Sequence, residues 1–149
     1  MDIALKEIRK KINFFLKQDI SPKQQRKWFE SYQLNKENFM FVVQEFYDGS
    51  FINIGSMGYR DINGEIDVYN IMRGRKVHNS KNTMANAFTL MNNYIFDTCK
   101  LDITCKVLKE NPANSWYEKV GFEKVKEVKD YWKYKLNTTN FRKLNIRKE

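Results

Sequence analysis

The residues best suited to chemistry sit in one stretch, where Asn111, Asn114, Tyr117, Glu118 and Lys119 lie between an apolar segment at 101–107 and the pair Gly121-Phe122. The pattern is a short strand, then Asn111-Pro112, then a short helix over about 113–120 that is stopped by Gly121. A tyrosine one turn into such a helix is fixed beside the sheet, and a phenol held there can deliver a proton. Asn111 carries both a donor and an acceptor. Two carboxylates, Glu65 and Asp67, alternate with Ile66 and Val68, so they share one strand face and could take up a proton. Upstream of the most regular helical pattern, Arg73 to Lys81 is polar, basic and without periodicity, so it reads as a loop. A helix N-terminus with its amides and macrodipole is suited to an anionic phosphate. Plainer roles fit the same residues: Tyr117 and Phe122 as core aromatics, Asn111 as a helix cap, and the carboxylates and basic loop as solvated surface.

The rest of the composition removes several other chemistries. The single histidine, His78, leaves no Cys/His zinc scheme and no obvious Ser-His-Asp triad, and it reads as an exposed loop residue. Cys99 and Cys105 have no visible activating base, which argues against a cysteine acyl-enzyme, and both read as buried packing residues. The net charge of +9 points to an anionic partner. Aromatics at 15% would also suit a nucleic-acid surface, yet no helix-turn-helix, RNA-recognition signature or finger spacing is present. No apolar run is long enough to span a membrane and the N-terminus does not read as a signal peptide, so the cytoplasm is the expected compartment.

These residues must be positioned by one domain, since 149 residues suffice for a single core. The spacing predicts an amphipathic helix over 3–16 and a second from Ser21-Pro22-Lys23-Gln24, a capping-box start, to about Tyr32. Strands are expected at 39–46, 51–57 and 65–72, joined by Asp48-Gly49 and Asn63-Gly64 turns into an antiparallel meander. A helix follows at 83–98, with Met84, Ala87, Phe88, Met91, Tyr94 and Ile95 on its apolar side. The closing strands are placed at 123–128 and 131–136. Residues 1–137 form the domain and 138–149 a basic C-terminal tail. The order α-α-β-β-β-α-β-α-β-β implies an α+β fold with one parallel crossover.

The segment 107–122, ending Tyr117-Glu118-Lys119-Val120-Gly121-Phe122, resembles the second signature of the GCN5-related N-acetyltransferase (GNAT) superfamily, and the resemblance extends over about 20–136. It implies a mixed, largely antiparallel central sheet with helices on both faces and a splayed pair of parallel strands. The family's usual first strand is missing or atypical. It also implies acetyl-CoA as co-substrate without a metal, its pantetheine arm entering the splay as an added strand. On that basis the cofactor-binding residues are Ile71, Arg73, Gly74, Lys81, Asn82, Thr83, Asn111, Asn114 and Tyr117. Amides near Ile71 and Arg73 would polarise the thioester carbonyl. Tyr117 would protonate the thiolate and Glu65 or Asp67 would act as base. The loop departs from the family's glycine-rich pattern. It resembles a sub-branch associated with sugar nucleotides, in which Arg-Gly ends the strand and Gly-x-Met opens the helix; Asn82 then stands in for a glycine by adopting left-handed angles. The implied activity is direct acetyl transfer to a primary amine, with an amino-sugar nucleotide favoured and a protein N-terminus as alternative. A relative that binds acyl-CoA without catalysis is a further reading. Monomer and homodimer are both compatible.

Overall fold

The computed structural model describes residues 21–74 and 82–137. The expected helix at 3–16, any strand preceding it, the basic residues Arg75, Lys76 and Lys81, His78 and the C-terminal tail lie outside the described residues. The elements are α1 (Pro22–Leu34), β1 (Asn38–Tyr47), β2 (Ser50–Ile62), β3 (Glu65–Arg73), α2 (Thr83–Thr98), β4 (Ile103–Leu108), α3 (Asn114–Lys119), β5 (Phe122–Val128) and β6 (Tyr131–Leu136). The strands form one six-stranded sheet in the order β1-β2-β3-β4-β6-β5. All neighbours are antiparallel except β3 and β4, as the α2 crossover demands. No helix among the described residues is long and apolar enough to cross a membrane.

Local chemistry accounts for these bounds. Ser21 caps α1 through a complete capping box with Gln24. The β1–β2 and β2–β3 turns place Asp48, Gly49, Asn63 and Gly64 at positive φ (49°, 79°, 53° and 77°), which these residue types tolerate and a two-residue hairpin requires. Strand alternation then sorts the sheet. Ile66, Val68, Ile103, Cys105, Val107, Tyr134 and Leu136 are buried on one face, under α2 and α3. Phe88 of α2 meets Trp116 of α3 at 5.3 Å and Phe122 at 5.5 Å, joining both helices into that core. Glu65, Asp67, Thr104 and Lys133 share the opposite face.

Two residues expected in the core sit elsewhere. Tyr94 is half exposed, its ring edge against Phe41 of β1 instead of beneath the helix, and Cys99 is only partly buried at the end of α2. Helix α1 buries no residue fully, and Trp28 and Phe29 remain exposed. Its Tyr32 hydroxyl accepts the N–H of Met40 at 2.9 Å.

One irregularity was invisible to the sequence pattern. The β2–β3 register passes from Ser56↔Met72 to Gly58↔Tyr69, so Asn70 and Ile71 both stand opposite Met57. Asn70 takes φ 52°, and its carbonyl accepts from Ser56 Oγ at 3.2 Å. This is a β-bulge, which bends the strand that carries the extra residue. Beside it Gly55 has no room for a side chain: a Cβ there would strike the Met72 carbonyl and lie 3.3 Å from Arg73 Cα. A Gly55→Ala chain should therefore lose about 1–3 kcal/mol of stability, read as a lowered midpoint in urea unfolding, while a change at an exposed position such as Lys126→Ala should leave the midpoint within error.

Candidate active site

The site follows from how briefly β3 and β4 stay together. They pair at Ile66↔Ile103 and Asp67↔Thr104, supported by Ile66 N–H to Asp102 O at 2.8 Å and Thr104 Oγ1 to Ile66 O at 3.1 Å. Beyond that point no pairing between them is found among the described residues, while β4 continues beside β6 as far as Leu108↔Tyr131. The bulge lies in the part of β3 that departs. Gly74 N–H donates to Ile54 O at 2.7 Å, which marks the β2-facing amides. Counting back by the antiparallel alternation places Met72 N–H on the β2 side and those of Ile71 and Arg73 on the side of the gap. The structure thus opens a wedge between two strands, lined by the backbone edge of β3.

Helix α3 stands beside the wedge. Its entry is built by two asparagines. Asn111 Oδ1 accepts from Ala113 N at 2.8 Å. Asn114 Nδ2 donates to Leu108 O at 2.9 Å and Asn111 O at 2.7 Å, and its Oδ1 accepts from the Tyr134 hydroxyl at 2.7 Å. Both ends of its side-chain amide are engaged inside the protein, which makes Asn114 a three-way clamp among β4, α3 and β6. Gly121, at φ 105°, ends the helix in the left-handed conformation that glycine adopts freely.

Tyr117 packs edge-on to Trp116 at 5.1 Å and to Phe122 at 6.1 Å, and lies 5.9 Å from Tyr134. Its ring is mostly enclosed, and its hydroxyl has no hydrogen-bond partner among the described residues. Burial, then the neighbouring Cys105, Tyr134 and Asp67, push its pKa well above that of a free phenol. The group therefore keeps its proton at neutral pH, the state a general acid needs.

The carboxylates part company. Asp67 is buried and bonded through Oδ2 to Arg60 Nε at 2.9 Å. Glu65 lies at the closed end of the wedge, six residues (about 20 Å of strand) from Ile71, and is ion-paired with Lys133 at 2.6 Å. In the loop, Asn82 has φ −114°, ψ 5°, not left-handed angles, so it does not mimic a glycine; as N-cap of α2 its carbonyl accepts from Asn86 N–H at 2.8 Å. Thr83 Oγ1 donates to Glu45 of β1 at 3.0 Å, and Gly74 N–H is spent on Ile54. Neither is turned to a phosphate through those groups. A residue the sequence reading passed over is Tyr69, which precedes the bulge. Arg60 lies over its ring at 4.5 Å. Its signal was present in the alternation that puts it on the face of Asp67.

A six-stranded sheet with one splayed parallel pair, a crossover helix and a tyrosine-bearing helix beside the opening defines an acyltransferase class. The family model described as an acetyltransferase (GNAT) domain matches residues 4–123, and the chain belongs to that family. It is an acyl-transfer enzyme. The fold is shared with a domain from Methanocaldococcus jannaschii (TM-score 0.74, 15% identity, covering 92% of this chain and 94% of that one). It is shared too with apo FdhC, described as a nucleotide-linked sugar GNAT (TM-score 0.73, 19% identity, 97% and 84%). A third is the Campylobacter jejuni N-acetyltransferase PseH in complex with acetyl coenzyme A (TM-score 0.57, 18% identity, 77% and 78%). No curated protein sequence matches this chain.

Two outcomes test the site's construction. Asn114→Ala should cost about 1–3 kcal/mol in chemical denaturation, because it strands the Leu108 and Asn111 carbonyls and the Tyr134 hydroxyl together. Burial raises the pKa values of Tyr117, Tyr134 and Cys105 in the folded chain above their ordinary values of 10.0, 10.0 and 9.0. Above about pH 9 the unfolded chain loses these protons while the folded one retains them, so stability present at neutral pH should fall as pH rises from 9 towards 12. Melting temperatures across that range should drop, and Tyr117→Phe should make the drop shallower.

Proposed function

We propose that the chain is an acetyl-CoA-dependent N-acetyltransferase that passes the acetyl group directly to a primary amine. The carrying observation is the wedge between β3 and β4, whose gap-side amides on β3 suit a ligand that completes the strand with its own amide groups. When bound, acetyl-CoA supplies an activated acyl group on a thiol leaving group. The chain's own residues do the rest. The Ile71 and Arg73 amides face the gap and are placed to donate to a carbonyl oxygen as negative charge develops there. Tyr117 holds a proton on its hydroxyl, beside the wedge, ready for a departing thiolate. Asp67, bonded to Arg60 on the face of the sheet opposite α2 and α3, is the carboxylate that takes the proton of the incoming ammonium. Asn111, whose Oδ1 is engaged by Ala113, still offers its Nδ2 to the ligand. Lys81 and the other basic loop residues, outside the described part, supply the charge a pyrophosphate requires.

For the acceptor, an amino-sugar nucleotide is the favoured class. The Arg73-Gly74 strand ending supports it, as does the likeness in fold to a nucleotide-linked sugar GNAT. A protein N-terminus remains the second candidate, with the same wedge serving the donor.

The test is thiol release from acetyl-CoA over a panel of amines that includes a uridine-diphosphate amino sugar, spermidine and an N-terminal peptide. Tyr117→Phe should lower kcat by about 10²–10⁴-fold while acetyl-CoA binding by calorimetry persists. Asp67→Asn should depress the rate most at low pH. Binding of acetyl-CoA without acetylation of any amine would turn the reading towards a sensor, and no binding would end it.

A further inference from the structure

The two edges of the sheet are finished differently. β5 carries Glu123, Lys124, Lys126 and Glu127, charges of the kind that keep one sheet edge from adhering to another. β1, ten residues long, carries one charge, Glu45, and no Lys, Arg or Pro. Val42 and Phe46 are each 62% exposed, and Phe41 and Tyr47 are exposed beside them. A long apolar edge left uncovered is a template for another strand.

Its open backbone groups can be assigned. The carbonyl of Glu37, just ahead of β1, accepts from Asp61 N–H, and Tyr47↔Ser50 closes the two-residue hairpin. Odd-numbered residues of β1 therefore turn their backbone groups towards β2, and even-numbered ones turn theirs outward. On the outward side, Met40 N–H is capped by the Tyr32 hydroxyl at 2.9 Å. The outward groups of Val42, Gln44 and Phe46 have no partner among the described residues.

These three positions are symmetric about Gln44. An antiparallel copy of β1 centred there sets Gln44 opposite Gln44 and Val42 opposite Phe46, each pair exchanging both backbone bonds. On the face of α2, Phe41 then meets Tyr47, and Val43 meets Glu45. The pairing stops at Tyr32 on one side and at the Asp48-Gly49 turn on the other. Charge selects the same occupant. Each chain carries +9, so most of its surface repels a second copy, yet no Lys or Arg occurs from Glu37 to Tyr59. With Glu45 opposite Val43, no like charges face each other. A polyanionic partner finds no cation on this edge.

We propose that Val42 to Phe46 pairs with the same segment of a second copy of this chain, about a two-fold axis at Gln44, joining two six-stranded sheets into one. Aromatic and β-branched cross-strand pairs then cover the side chains that a single chain leaves in water. The interface is small, which sets association in the micromolar range. The proposal does not depend on the acetyl-transfer reading.

Sedimentation of the full chain across a wide concentration range should show a monomer–dimer equilibrium. Gln44 is exposed, so Gln44→Lys and Gln44→Glu should leave the melting temperature of the dilute chain unchanged. Each should weaken dimerisation by roughly 5-fold or more, because like charges then face each other across the axis. An equimolar mixture of the two variants should recover association, which a folding defect could not produce. A wild type that stays monomeric, a dimer insensitive to both substitutions, or variants that fail to associate when mixed would overturn the proposal. So would slow hydrogen exchange at Val42, Gln44 and Phe46 in the dilute monomer, which would give the edge to a segment of the same chain outside the described residues.

Discussion

The structure depends on a single act of separation: β3 and β4 pair at two residues and then part. A parallel pair would ordinarily continue until one strand ends, because unpaired backbone groups at a sheet's centre are costly. Here the divergence is built in from both sides. The extra residue at Asn70-Ile71 bends β3 while β2 holds it through Met72 and Gly74. On the other flank β6 keeps β4 straight along Thr104 to Leu108. Neither strand can close the wedge without breaking its outer ladder, so the opening belongs to the resting fold and is not created by a ligand.

The two faces divide the labour. One is apolar and carries α2 and α3 on a continuous core through Phe88, Trp116 and Phe122, which fixes Tyr117 against a rigid background. The other is polar at the centre of the sheet, where Asp67, Arg60 and Tyr69 form one stack. The wedge between β3 and β4 lies where these two faces meet.

Much of the architecture could be read from residue order because it is local. The Thr83–Thr98 helix follows from its 3- and 4-residue apolar steps, and both hairpins from Asp48-Gly49 and Asn63-Gly64. The site was less legible, because it depends on register. Glu65 and Asp67 look equivalent in an alternating pattern, yet two residues separate an ion pair at the closed end from a buried carboxylate nearer the mouth. The bulge has no sequence mark beyond an asparagine, a residue type that tolerates positive φ in many settings. Asn114 matches a family motif by type, but its work is to bond Leu108, Asn111 and Tyr134, a long-range arrangement that no local spacing encodes. Tyr69 was overlooked because an aromatic in a strand usually packs, and only its unpaired hydroxyl sets it apart.

The brevity of α3 has a consequence for how the molecule fails. Six residues are far too few to hold a helix in water, so its shape is borrowed from β4 and β6 through Asn114 and the aromatic cluster. Fraying that element means giving up the Asn114 bonds and the ring contacts of Trp116 and Tyr117, which ties it to the sheet it leans on. Hydrogen exchange around Tyr117 should therefore follow the loss of these contacts, and on heating the tyrosine stays in position for as long as they hold.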